Sequence, residues 1–103
     1  MGRSISEILD DIDAFVPIDG DWLPLDRLLD ELWQHDISTS AIPLLFRVFE
    51  KFPDDDGSGV LWSLAHWLET RDDYESALRN SLSRQPSLMG KIMLRRLQES
   101  ETA

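Results

Sequence analysis

The segment Val60 to Glu69, Val-Leu-Trp-Ser-Leu-Ala-His-Trp-Leu-Glu, most constrains what this chain can fold into. At 100° per residue, Val60, Leu61, Leu64, Ala65, Trp67 and Leu68 cover one broad face, with Trp62, His66 and Glu69 on the other side. A helix apolar over so much of its circumference has to lie among other helices, so the segment predicts a helical packing centre. Directly before it stands Asp-Asp-Asp-Gly-Ser-Gly, residues 54–59, which attaches the most acidic turn of the chain to its most apolar helix. Period-2 alternation is absent elsewhere, and the expected fold class is all-α.

Prolines and capping residues divide the rest into further helices. Ser4-Ile5-Ser6-Glu7 has the capping-box form, with Ser4 as N-cap and Glu7 three residues on. Ile5, Ile8, Leu9, Ile12, Phe15 and Val16 follow it at helical spacing, opposite an acidic face of Glu7, Asp10, Asp11 and Asp13. No Lys or Arg follows Arg3 in this segment to neutralise that face, and Pro17 ends the helix before a turn at residues 18–21. A second helix takes Pro24 in its first turn and buries Leu25, Leu28, Leu29, Leu32 and Trp33, with Arg27 and Glu31 at pairing distance. Ser38, Thr39 and Ser40 are N-cap candidates for a third, which holds Pro43 in its first turn and stops at Pro53. Either Asp56 or Ser58 is placed to cap the central fourth helix. A fifth, carrying Tyr74, Ala77, Leu78 and Leu82 inward, ends at Pro86, and Ser87 caps a sixth that carries Leu88, Met89, Ile92, Met93, Leu94 and Leu97. Gly90 weakens that last helix by about 1 kcal/mol and permits a close approach. Residues 98–103 are expected to fray.

About six helices in antiparallel pairs, in one domain over residues 1–103, follow from this division. A shift of 33 residues superimposes Leu28 on Leu61, Leu32 on Ala65, Ala41 on Tyr74, Leu45 on Leu78, Phe49 on Leu82 and Pro53 on Pro86. The architecture is therefore either a compact bundle or a short HEAT-like stack of two-helix repeats.

Charge is the compositional feature that bears on function. Residues 1–56 carry 14 Asp and Glu against four Lys and Arg, whereas residues 57–103 carry six of each, so the formal charge of −10 belongs to the first half. Such a field repels nucleic acid and anionic membranes and speeds encounter with a basic partner. The absence of cysteine excludes disulfides, thiolate metal sites and a thiol nucleophile, and agrees with a reducing compartment. No window approaches the apolar length of a membrane span or a signal peptide, so the expected location is cytoplasmic. Gly2 and Ser6 match the loose N-myristoylation pattern.

Two chemistries suggest themselves, and each lacks a required part. Asp54, Asp56 and Ser58 stand at positions 1, 3 and 5 of an EF-hand-like loop with Gly59 at position 6, but position 12 is Ala65 where a bidentate Glu is needed. His66 and Glu69 lie one turn apart, but a zinc-hydrolase helix needs a second His at position 70, which is Thr70. No phosphate-binding Gly loop or nucleophile elbow is present. No enzymatic activity, metal or cofactor is expected. Trp62, opposite the main apolar face, either packs in a second core layer or stands partly exposed as an anchor for a partner.

The runs Gly-Ser-Gly-Val-Leu-Trp-Ser-Leu-Ala-His-Trp-Leu-Glu, Tyr-Glu-Ser-Ala-Leu, Arg-Gln-Pro-Ser and Met-Leu-Arg-Arg-Leu, within residues 57–97, resemble small helical immunity proteins of bacterial polymorphic toxin systems, including those of contact-dependent growth inhibition. The resemblance implies a cytosolic protein that binds and neutralises one cognate basic toxin domain. A nuclease is the expected class of toxin, with a ribonuclease A-like ribonuclease named first. It carries over no functional residue individually. The acidic distribution singles out Asp10, Asp11 and Asp13 on the first helix, Asp19 and Asp21 in the turn, and Asp54, Asp55 and Asp56 as the contact surface, with Trp62 as the apolar anchor. A helical-repeat adaptor with a non-toxin partner is the alternative.

Overall fold

A computed structural model describes residues 4–102, which leaves Gly2 of the myristoylation pattern outside the described residues. Six α-helices follow in order: α1 (Ile5–Ala14), α2 (Leu23–Leu32), α3 (Ile42–Lys51), α4 (Val60–Glu69), α5 (Glu75–Arg84) and α6 (Leu88–Thr102). Single 3-10 turns, Thr39–Ala41 and Gly57–Gly59, lead into α3 and α4. Among the described residues no strand forms, and a lone bridge pairs Ile18 with Asp21.

Local chemistry accounts for most of these boundaries. Ser4 and Glu7 close the expected capping box, Glu7 N donating to Ser4 Oγ at 3.2 Å and Ser4 N to Glu7 Oε1 at 3.3 Å. Pro24 and Pro43 occupy the first turns of α2 and α3. Ser87 caps α6 by accepting from Gly90 N at 3.0 Å. Ser38, Thr39 and Ser40 do not cap α3, because the 3-10 turn supplies its entry and Thr39 is recruited elsewhere. The sixth helix is assigned through Thr102, within the 98–103 segment that the sequence predicts to fray.

The helices lie in two rows, and the contacts fix their directions. In the odd row α1 packs on α3, with Ile5 and Leu9 lining one groove with Ala41 and Leu44 at the start of α3 and Asp13 pairing with Arg47 farther along it, so α1 and α3 are parallel. Thr39 bonds Asp73 ahead of α3 and α5, and Glu50 bonds Arg84 at their ends. In the even row, Gly57 lies against Trp22 ahead of α4 and α2, and Trp33 stacks on Trp67 towards their ends, ring centroids 4.1 Å apart and 13° from parallel. Leu88 N donates to Pro53 O at 2.6 Å, and Arg96 pairs with Glu69 at 3.2 Å, which sets α6 parallel to α4. Connections at alternating ends make the two rows antiparallel, and the rows meet most closely where α1 packs on α2, α5 on α6 and α3 on α6. A shift of 33 carries α3 onto residues 75–84, the bounds of α5, but α2 onto residues 56–65, four residues ahead of α4. The repeat is therefore exact only between α3 and α5, because a shift of 33 also carries α1 onto residues 38–47, four residues ahead of α3.

The centre is where the sequence predicts it. Val60, Leu61, Leu64, Ala65 and Leu68 are buried between α2 and α6 together with Leu25, Leu29, Phe46, Phe49, Met89 and Met93. Trp67 differs from expectation: it is half-buried, sandwiched between Trp33 and the Arg71 guanidinium at 5.4 Å. Gly90 does permit a close approach, since a Cβ there would stand 2.7 Å from Ser87 Oγ and 2.9 Å from Leu82 Cδ2. No helix among the described residues is long and apolar enough to cross a membrane.

Candidate acidic contact surface

At one end of the stack the α1–α2 and α3–α4 connections converge on Trp22. Its ring lies 5.6 Å from Phe15 and 5.0 Å from Phe52, and Phe15 and Phe52 are 6.4 Å apart. These aromatics clamp the exit of α1, the entry of α2 and the exit of α3 into one knot. Gly57 seals it from the other side: a Cβ on this residue would stand 3.0 Å from Trp22 Cε3 and 2.8 Å from Leu61 Cγ. Residues Gly57, Ser58 and Gly59 all have positive φ, 61°, 52° and 95°, so the entry to α4 is a left-handed turn that two glycines make accessible.

The aspartates of this end are held by the backbone. Asp21 Oδ1 accepts from Leu23 N at 3.1 Å, Asp55 Oδ1 from Gly57 N at 2.9 Å and Asp56 Oδ1 from Ser58 N at 3.1 Å. Asp56 thereby caps the 3-10 turn ahead of α4, while α4 itself has Gly59 as its N-cap and no side-chain cap. Asp19 and Gly20, with φ of 52° and 76°, form the tip of a tight reversal closed by Asp21 N to Ile18 O at 2.9 Å. Asp19, Asp21, Asp54, Asp55 and Asp56 are exposed and form no ion pair among the described residues.

The first helix contributes differently from expectation. Its acidic face is neutralised at Asp13, whose Oδ1 lies 3.2 Å from Arg47 Nε, an ion pair lacking hydrogen-bond alignment. Lys51 donates to Asp13 O and, at 2.8 Å, to Phe15 O, so α3 supplies the cation that the last turn of α1 lacks. The missing partners come from residues 34 and more positions away, which the local charge pattern does not reveal. Asp10 lies nearer the opposite end, on a groove of about 360 Å³ between α1 and α3 that is lined also by Ile5, Ser6, Leu9, Ser38, Ser40 and Leu44. Asp11 is exposed on the same turn as Asp10. The set that meets at Trp22 is thus Asp19, Asp21 and Asp54–Asp56, with Asp13 paired to Arg47 and Asp10 on the α1–α3 groove.

Trp62 is half-buried against the core, its ring 5.9 Å from that of His66. Glu69, on the same side of α4, is committed to Arg96. Exposed apolar side chains stand instead at Val16, Ile18 and Leu23, beside the aspartates. The sequence assigns Val16 to the buried stripe of the first helix, but α1 ends at Ala14 and Phe15 is already extended at ψ 134°. Pro17 keeps the preceding residue out of the helical region, so alternation replaces helical spacing: Phe15 turns inward and Val16 outward. Val16-Pro17 was the readable signal.

Farther along the odd row one charge cluster ties α3 to α5 and a second ties the connections that lead into them. Burial pushes the Glu50 carboxyl up, but hydrogen bonds from Arg84 and from the buried Ser81 outweigh it and hold the group below its ordinary range. Arg71 bonds Asp73 through Nε and Nη2 at 2.8 and 2.6 Å and Ile37 O through Nη1 at 2.8 Å. With Thr39 also donating to it, Asp73 is held well below the usual carboxylate range. Both clusters are internally satisfied and act as clasps between repeats. Among the described residues no group of three His, Asp or Glu side chains is arranged to hold a metal ion. Comparison of the chain with protein-family models, curated proteins and solved structures finds no match.

Proposed function

We propose that this chain is an immunity protein that binds a basic toxin domain, a nuclease and in the first instance a ribonuclease A-like one, and neutralises it by occluding its cleft. The observation that carries the reading is the convergence of two acidic turns, Asp19 with Asp21 and Asp54 with Asp55 and Asp56, on the Trp22 knot. A nuclease must bind a polyanion, so its cleft is basic, and a rigid cluster of carboxylates offers that cleft an alternative ligand. Rigidity supports the reading because Asp21, Asp55 and Asp56 are already fixed by backbone amides and lose little freedom on binding. The two-row stack is what the reading shares with a helical-repeat adaptor for a non-toxin partner, and the charge is what favours a basic one. The reading gives the chain no reaction or cofactor of its own and a cytoplasmic site of action, where the toxin would meet its substrate.

Co-expression with the protein encoded by the adjacent reading frame tests this directly. That protein should kill cells alone and spare them when this chain is present, and the pair should purify as a complex. Its association rate should fall about tenfold or more between roughly 0.05 and 0.5 M salt. Replacing Asp54, Asp55 and Asp56 together by Asn keeps the backbone-bonding oxygens and removes the charge, so it should slow association at low salt. Survival of cells expressing the neighbouring protein alone would reject immunity, and a salt-independent association rate would reject the electrostatic mechanism.

A further inference from the structure

Three of the five large hydrophobic side chains exposed among the described residues, Val16, Ile18 and Leu23 at 64%, 76% and 58%, gather at the α1–α2 connection, Val16 and Ile18 within it and Leu23 opening α2 directly after it. Scattered exposed aliphatics need no explanation, but three gathered on one connection do. They are displayed by a rigid device. The Ile18–Asp21 bridge and the positive φ at Asp19 and Gly20 make the connection a miniature hairpin, with the sign pattern of a type I′ turn. Residues on it alternate: Phe15 and Trp22 turn into the aromatic knot, while Val16, Ile18, Asp21 and Leu23 turn out. Burying the two rings is what displays the aliphatics, and no other element of the described chain covers them.

We propose that this hairpin tip is an apolar anchor that enters a hydrophobic recess on a basic protein, with Asp19, Asp21 and Asp54–Asp56 meeting the positive surface around that recess. The partner's identity rests on the immunity reading above; its chemistry rests on charge. Asp19 and Asp21 are interleaved with the aliphatics in the same turn, and Gly57 holds the Asp54–Asp56 turn against the same Trp22. A second copy of this chain would set these carboxylates against their equivalents, in a molecule of formal charge −10. An anionic membrane or a nucleic acid is repelled for the same reason. The two kinds of group divide the work: the exposed carboxylates accelerate encounter, and desolvation of Ile18 and its neighbours sets the lifetime of the complex.

Association and dissociation rates of the complex with the toxin domain encoded by the adjacent reading frame separate these roles. Ile18→Ser should raise the dissociation rate about tenfold, and Val16→Ser, Ile18→Ser and Leu23→Ser combined about a hundredfold or more, with the association rate nearly unchanged. Because all three residues are exposed, the thermal midpoint of the free variants should match that of the wild type. The Asp54→Asn, Asp55→Asn, Asp56→Asn variant should show the reverse, slower association with little change in dissociation. A complex whose dissociation rate is unmoved by the triple Ser change overturns the anchor and leaves immunity standing. Failure of the wild-type chain to form any complex removes both. If sedimentation finds the free chain dimeric and Ile18→Ser makes it monomeric, the patch belongs to self-association and the anchor is again overturned.

Discussion

At Gly57 two independent constraints fall on one atom position. Its φ of 61° costs any L-residue about 1–2 kcal/mol, and its absent Cβ is the space into which Leu61 Cγ and the Trp22 ring pack. Gly59 shares only the first constraint, since its φ is 95° and nothing lies within 4 Å of a Cβ built there. Gly57→Ala should therefore destabilise the protein by about 2–4 kcal/mol and Gly59→Ala by about 1–2 kcal/mol, measured by urea denaturation. Equal losses would show that Trp22 and Leu61 yield easily and that the acidic turn is not locked to the core. The Gly-Ser-Gly run is legible in the sequence as a turn before a helix. That the first glycine is the indispensable one was not, because the ring it receives lies 35 positions earlier in the chain. The same holds for the aspartates. Their one-dimensional clustering advertises acidity, but only the amides of Leu23, Gly57 and Ser58 show that three of them are also structural acceptors.

Among the elements, helices were more legible than the links between them. Capping at Ser4 and Ser87 and the helix-entry prolines act within one turn, so the sequence contains everything they need. The α2–α3 and α4–α5 connections instead owe their form to each other: Arg71 and Asp73 bind Ile37 O and Thr39 across the stack, which removes Thr39 from capping and leaves α3 to a 3-10 entry. This clasp has a pH signature whose sign follows from the depressed Asp73 carboxyl. A group bound more tightly as its anion in the folded chain stabilises fully above its unfolded value, near about 3.9, and loses that contribution as pH falls through the folded value. Comparing wild type with Asp73→Asn by thermal unfolding should give the widest gap near neutrality, narrowing as pH drops from about 5 to about 2. A gap independent of pH would mean that Thr39 and the guanidinium hold the site by geometry alone. The two helices that the clasp precedes, α3 and α5, are the pair whose bounds the 33-residue shift superimposes. The helices α2 and α4 fall out of that register by four residues, the amount by which the 33–41 connection exceeds the 70–74 connection.

For the whole molecule the dominant unresolved force is its own charge. A net formal charge of −10 within a radius of gyration of 13.3 Å repels itself by on the order of 10 kcal/mol in unscreened water, and by about half as much in an unfolded chain about twice as wide. Folding therefore works against several kcal/mol of self-repulsion at low salt. Opposing terms are smaller: aspartates near the entries of α2 and α4 gain about 0.3–1 kcal/mol each from the helix dipoles, and the exposed pairs Glu75 with Arg79 and Arg95 with Glu99 about 0–1 kcal/mol each. Repulsion should win, and salt should relieve it. Raising sodium chloride from about 0.01 to about 0.5 M should lift the thermal midpoint by about 5–10 °C. The Asp54→Asn, Asp55→Asn, Asp56→Asn variant should start higher and respond about half as strongly, since repulsion scales with the square of the net charge and backbone acceptance at residues 55 and 56 is preserved. A midpoint that is flat or falls with salt would mean that local attractions outweigh the global field, and the acidic end would then be a built-in stabiliser of the fold. A rising midpoint identifies it as charge maintained at the expense of stability, which is what a surface selected for a positively charged partner requires.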